Sequence, residues 1–446
     1  MKIDPAFAEE IISQAVKSGA DQAEVFMKSY KNLTVDIKCQ EVDSLTSSLS
    51  YGYGLRVIRN NRLGFAYATD TKDKEAVIKQ AVESAVYSDE DSCLGLPEPS
   101  EPAQIKVYDP AVTHIKEGDA IHLTMLLEKS AFDTDSRIKK VRKASGSFTT
   151  TETVIYNSKS VKTSYLSTSC TAQIMAVAED GQESQTGWDF SGSRFLSDVS
   201  FEKTGQTAAQ RSLQLLGART IAGSRTNVIL DNSVTIDFLG IFSSSLSSEA
   251  LQKGKSLLKD KLGKTIISTR INIIDSGLLS GKLGSRPVDD EGVSTREKTL
   301  VHEGILKAYL YNTYTARKGN THSTGNASRG GFSSLPSVGI TNLFIEPASG
   351  ELCLGRKDLF KSLGKGLYIV DAMGVHTANP VSGDFSLGVT GLWIEGGEIQ
   401  FPVKEAVISG NILDFFNKVA AVGDDLIFYG NMGAPSLLIS DIDISA

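Results

Sequence analysis

The sequence predicts an α+β protein in two parts: an N-terminal α+β domain built on an antiparallel sheet, residues 1–225, and a β-rich C-terminal domain, residues 226–446. Three observations carry this. The chain has 446 residues, more than one hydrophobic core usually supports. Before residue 220 the texture runs helix, strands, helix and then repeats that order, as a duplicated unit would. After Arg219 strands dominate and helical periodicity nearly disappears.

Asp4 before Pro5 reads as a helix cap with proline at the first position, and Gly19 as a stop. Between them Phe7, Ile11, Ala15 and Ser18 recur at helical spacing. From Ala23 to Asp70 β-branched and alternating runs predict four or five antiparallel strands, with Asn60-Asn61 as a hairpin turn, because asparagine tolerates the left-handed region. Thr71 to Tyr87 carries a helical stripe of Ala76, Val77, Ala81, Val82, Ala85 and Val86. Asp91 to Pro110 holds four of the eleven prolines and reads as a connector. A helix at about 116–132, further strands, and a helix from about Phe201 to Leu216 complete the second copy. Beyond it, TNVILDN is a short strand, Ser233 to Leu262 a helix or a broken pair of helices, and Asn411 to Val422 a late helix among strands.

Hydrophobic residues at 40% and charged residues at 22% describe an ordinary globular chain. No run reaches the roughly 18 apolar residues that span a bilayer, so no membrane role is expected. The start, MKIDPAFAEE, lacks the apolar core of a signal peptide, which makes a cytoplasmic location the expectation. A net charge of -7 disfavours a nucleic-acid surface, which needs clustered cations; Lys139, Lys140, Arg142 and Lys143 read as a solvated edge. Cys39, Cys93, Cys170 and Cys353 are far apart with no C-x-x-C pair, as in buried free thiols rather than a zinc site.

The densest stretch is Arg286 to Gly331, with an acidic turn (Asp289, Asp290, Glu291, Gly292), a hairpin-like run and a Gly/Asn/Ser/Arg-rich loop. Such loops bind something or hold elements in a strained relation. The three carboxylates could take a hard cation, but with no second oxygen-rich motif an acidic turn bonded to its own backbone is the commoner outcome. His302-Glu303 imitates the start of H-E-x-x-H, yet position 306 is Leu and the segment reads as two strands. His114 and His122 have no carboxylate motif between them, and the histidines read as surface or satisfied core imidazoles, His322 and His376 included. No G-x-S-x-G elbow occurs, and Gly52 and Gly54 in YGYG fit a tight strand bend better than a dinucleotide loop.

The runs DDEGVSTREKTLVHEGILKAYLYNTYTARK and STGNASR resemble the signature loop of the TldD/PmbA family. YGYGLRVIRNNRLGFAYATD, NPVSGDFSLGVTGLWIEGGEIQFPVKEAVISGN and VGDDL extend the resemblance over nearly the whole chain. In the TldD branch a helix carries H-E-x-x-x-H and a late cysteine helps to bind catalytic zinc. Aligning that motif through Lys253-Gly254 puts Leu239, Gly240 and Ser244 where His, Glu and His belong. No histidine lies between His122 and His302, and no cysteine follows Asp425.

The chain therefore resembles the PmbA (TldE) branch. That implies no catalytic residues of its own, no metal and no cofactor, and a TldD-type zinc protease subunit as partner in cleaving unfolded peptides, for peptide maturation or antitoxin degradation. A homo- or heterodimer is expected. On this reading the loop Asp289 to Arg329 lines a chamber, with Tyr314, Arg317, Asn326 and Arg329 contacting peptide or partner; the alternative is that these residues only pin the loop. A stand-alone peptide-binding homodimer without hydrolytic activity is the competing function.

Overall fold

The computed structural model describes residues 4–445. Helix α1 (Pro5–Lys17) starts at Asp4, whose side chain accepts from the Ala6 amide, and buries Ala8, Ile11 and Ala15. The expected four or five strands are instead three long ones, β1 (Gln22–Lys38), β2 (Glu41–Arg59) and β3 (Arg62–Ala68). Lys31 and Asn32, which separate two strand-like runs in the sequence, sit within one ladder from Gln22↔Ile58 to Lys38↔Glu41. Both hairpins turn on paired left-handed residues, Cys39-Gln40 and Asn60-Asn61.

Helix α2 (Lys74–Ser84) ends the first copy. After a one-turn α3 (Pro110–Thr113), the second copy runs through α4 (Glu117–Thr134), β4 (Ile138–Asn157), β5 (Lys162–Asp180), β6 (Glu183–Ser193) and α5 (Phe201–Leu213). The order helix, three strands, helix thus occurs twice. All six strands form one antiparallel sheet, β3-β2-β1-β4-β5-β6, with the copies meeting at the β1–β4 seam.

Alternation along β1 puts Val25, Met27 and Val35 on one face and Phe26 on the other. On the first face Val25 and Met27 pack with α1 and α2, and Val35 packs with α4 and α5. On the second face Phe26 and Ile155 receive Val288 from the C-terminal part.

From β7 (Ser224–Leu230) onward the chain builds a different architecture. Strands Leu437–Ser445, Glu398–Asn411, Asp384–Glu395, Lys365–Met373 and β7 pair in that order, and Leu437–Ser445 also pairs with β7, so these five close into a ring. Helix α6 (Asn232–Ser243) presses Phe238, Leu239 and Phe242 into the same core as Leu387, Val389, Ile408 and Ile439 of the ring.

The sequence allowed one helix or two from Ser233 to Leu262; the structure has α6 and then α7 (Ser248–Gln252), followed by irregular chain. The serine run explains the break, since Ser247 caps a new helix by accepting from the Glu249 amide. Asn411 to Val422 is helical only over Ile412–Asn417, and Val419–Gly423 is a strand. A second sheet contains β8 (Ile271–Ser276), β9 (Glu297–His302) and β10 (Ile305–Leu306), with Leu343–Pro347 beside β8. Among the described residues no helix is long and apolar enough to cross a membrane.

Candidate functional site

The loop from Arg286 to Gly331 packs against the sheet face opposite the helices, and its charges are fixed from within. The Asp289 carboxylate accepts from the amides of Glu291 (2.9 Å), Val293 (3.0 Å) and Ala327 (2.9 Å). Gly292 completes that turn at φ +84, a left-handed value that favours glycine. Asp290 accepts from the Arg329 amide at 2.8 Å and pairs with Arg286 at 3.3 Å. Glu291 accepts at 2.9 Å from the Thr313 amide at the first turn of α8 (Thr313–Lys318).

Glu291 also pairs with Arg56 of β2 at 2.9 Å, and Arg56 pairs with Glu24 of β1 at 2.7 Å. Arg329 closes the chain of charges onto the other oxygen of Glu24. Two carboxylates and two guanidiniums, all buried, thereby join the N-terminal sheet to the C-terminal loop. Burial would lower the Arg56 pKa, but Glu24 and Glu291 outweigh it and raise it above the usual range. Burial, with Arg56 adding to it, lowers that of Arg329. Asp289 is pushed up to about 7, first by burial and then by Glu291.

Asn326 is buried as well. Its amide donates to Asp275 (2.8 Å) and to the Gly339 carbonyl (2.9 Å), and its carbonyl accepts from Lys298 at 3.0 Å. Of the four residues expected to contact peptide or partner, Asn326 and Arg329 are thus held inside the molecule, where every bond described for them is internal. Tyr314 is half-buried and Arg317 exposed. Both reach the connector: the Tyr314 hydroxyl donates to Asp91 at 2.7 Å, and Arg317 Nε donates to the Cys93 carbonyl at 3.0 Å.

The zinc-motif positions lie on α6 and just beyond it. Leu239 is fully buried in the core, Gly240 is half-buried, and Ser244 is exposed. They offer a hydrocarbon, a hydrogen and one hydroxyl, whereas zinc takes imidazole, thiolate or carboxylate. The donor set does not fit the metal. Among the described residues no three His, Cys, Asp or Glu side chains come together to hold an ion.

Two features escaped the sequence reading. Asp237, three residues before Gly240 on α6, has its pKa pushed up to about 6 by burial and by Asp371. An acid inside VTIDFLGIF was the available signal. The other feature is Arg211 of α5, which pairs with Asp189 and Asp231 at 3.3 Å each and donates to the Tyr429 hydroxyl at 2.9 Å. Its guanidinium lies over the Trp188 and Tyr429 rings. Asp231 is the N-cap of α6, so Arg211 ties the second copy to the start of that helix. No local pattern links these residues. Arg211, Asp189 and Tyr429 border a polar cleft of about 460 Å³ between β6, α5 and residues 280–282 and 426–429.

Three family profiles match in succession: PmbA/TldA metallopeptidase domain 1 over residues 23–87, the central domain over 111–216 and the C-terminal domain over 223–446. The metalloprotease PmbA homolog of Haemophilus influenzae is 30% identical, over 99% of this chain and 95% of its own length. A crystal structure of a putative modulator of DNA gyrase from Thermotoga maritima superimposes with a TM-score of 0.91 at 25% identity, covering 99% of both chains. TldE from Thermococcus kodakarensis shares the fold, with a TM-score of 0.88 at 21% identity over 99% of this chain and 100% of its own. Profiles, sequence relatives and fold agree: the chain belongs to the PmbA/TldD metallopeptidase family, in its PmbA branch.

Proposed function

We propose that this chain is a non-catalytic, PmbA/TldE-like subunit that completes a TldD-type zinc protease acting on unfolded peptides, in peptide maturation or antitoxin degradation. The observation that carries the reading is the donor set Leu239, Gly240 and Ser244, which leaves the family's metal chemistry to a partner. A subunit of this kind contributes walls and order rather than a nucleophile. The buried charges around Asp289, Asp290, Glu291 and Arg329 suit that role, because they make the loop a rigid wall anchored on two sheets. Tyr314 and Arg317 remain the residues nearest the surface for contact with peptide or partner.

The test is peptide cleavage by the purified chain, by a TldD-type subunit, and by the two together. The expected result is no cleavage by the chain alone and zinc-dependent cleavage by the pair. Robust zinc-dependent cleavage by the lone chain overturns the proposal.

A further inference from the structure

Asp275, Lys298 and Asn326 close a triangle of contacts under the loop. Lys298 on β9 lies directly opposite Asp275 on β8. Its side-chain nitrogen is 2.9 Å from Asp275 Oδ2 and 3.0 Å from Asn326 Oδ1. Asn326 Nδ2 donates at 2.8 Å to the same Asp275 Oδ2. The other donation of Nδ2, to the Gly339 carbonyl at 2.9 Å, fixes which end of the amide is nitrogen, because a carbonyl can only accept. Thr341 holds the Asp275 carboxylate through its amide (2.6 Å) and its hydroxyl (2.8 Å). All three members of the triangle are buried, Asp275 and Asn326 completely.

An amine, a carboxamide and a carboxylate in mutual contact and out of water are the two reactants and the proton carrier of an amide exchange. Burial lowers the pKa of Lys298 below that of an ordinary lysine, against the pull of Asp275 and with the help of Arg286 and Arg296, and a desolvated amine is the form that attacks. Passing a proton to Asp275 leaves two neutral groups where two buried charges stood. The Asn326 carbonyl oxygen also accepts from Thr324 Oγ1 at 2.8 Å, so a donor stays on that oxygen as charge develops there. One carboxylate oxygen touches both nitrogens between which protons must move, at distances that suit general acid and base work. The fold thus holds the reacting groups together in a fixed frame.

We propose that Lys298 and Asn326 become joined by an isopeptide bond, formed within the folded chain with Asp275 as the proton carrier. Lys298 Nζ attacks Asn326 Cγ, the Nζ–Cγ bond forms, and the Cγ–Nδ2 bond breaks. Of the three protons on the lysine nitrogen one stays on the new amide, and two pass through Asp275 to Nδ2. That nitrogen leaves as ammonium and the carboxylate is regenerated, so charge and atoms balance without an oxidant or a co-reactant. The bond closes a covalent loop between positions 28 residues apart, with Tyr314 and Arg317 inside it. Like a disulfide, it restricts the unfolded chain, and it holds the loop shut through local opening. The link does not depend on the chain acting as a protease subunit.

Intact mass spectrometry of the full chain, purified and incubated in its folded state, tests the bond. The wild type is lighter than its sequence by the mass of one ammonia, and a protease digest contains a branched peptide joining Lys298 to Asn326. Lys298→Arg keeps the cation but cannot form the bond, and retains its full mass. Asp275→Asn keeps amine and carboxamide without the carrier, and also retains its full mass. A wild type at full mass after prolonged incubation overturns the proposal, and that reading needs no variant to fold. Loss of ammonia that persists in Lys298→Arg overturns it as well, since it marks cyclisation of Asn326 onto its own backbone. A linked Asp275→Asn chain overturns the role given to Asp275.

Discussion

The two copies of the helix, three-strand, helix unit share an order but are fastened to the rest of the molecule in different ways. The first copy is gripped on the sheet face, where Glu24 and Arg56 enter the buried charge chain with Glu291 and Arg329. The second is gripped at its helix, where Arg211 reaches Asp189 and the cap of α6. The face grip fixes a loop; the helix grip orients α6. The same local fold has therefore acquired two mechanical duties through a few long-range charges.

The largest effect should come from breaking the face grip. Arg329→Ala leaves one oxygen of the buried Glu24 carboxylate without its partner and removes the bond from Nε to the Asp290 carbonyl, at a cost of about 3–5 kcal/mol, read from the urea midpoint. Arg211→Ala breaks the helix grip. Its ion pairs are longer and its side chain is 17% exposed, so the expected loss is about 2 kcal/mol. Arg211→Lys should recover little of it, since an ammonium cannot span both aspartates as a guanidinium fork does. Equal losses at the two sites would erase the distinction between the grips.

A smaller loss tests contact between the first copy and the loop. A Cβ at Gly52 would come within 2.3 Å of the Phe332 ring, so Gly52→Ala should cost about 1–3 kcal/mol through overpacking. Adding Phe332→Ala should cancel much of that penalty in a double-mutant cycle.

The smallest effect concerns α6. The folded pKa of Asp237, about 6, lies above its ordinary 3.8. The native state therefore holds a proton that the unfolded chain has lost between those values. The contribution of Asp237 to stability is full below about 4 and lost as pH rises through about 6. Asp237→Asn, neutral throughout, should show a shallower decline in melting temperature from pH 4 to 6 than the wild type. An unchanged slope refutes that assignment.

Much of the fold was legible because its signals are local. Asp4-Pro5 and the spacing of Phe7, Ile11 and Ala15 mark α1, and Asn60-Asn61 marks a turn whose φ values are left-handed. Strand number was overcounted because the polar pair Lys31-Asn32 interrupts the apolar pattern without interrupting the ladder. The site was only half legible. The sequence could show that α6 lacks zinc ligands. It could not show that Glu24 meets Arg329 across 305 positions, because charged side chains carry no mark of a distant partner.

The seam between β1 and β4 has a further consequence. It pairs residues continuously from Glu24↔Asn157 to Ile37↔Ala144, and the connector between the copies is held from both sides, with the Leu96 amide donating to Gln22 and the Pro97 carbonyl accepting from Asn157. The covalent link across that connector is mechanically redundant. A chain nicked between the copies should stay whole, and its two fragments, produced as separate polypeptides, should find each other and reassemble.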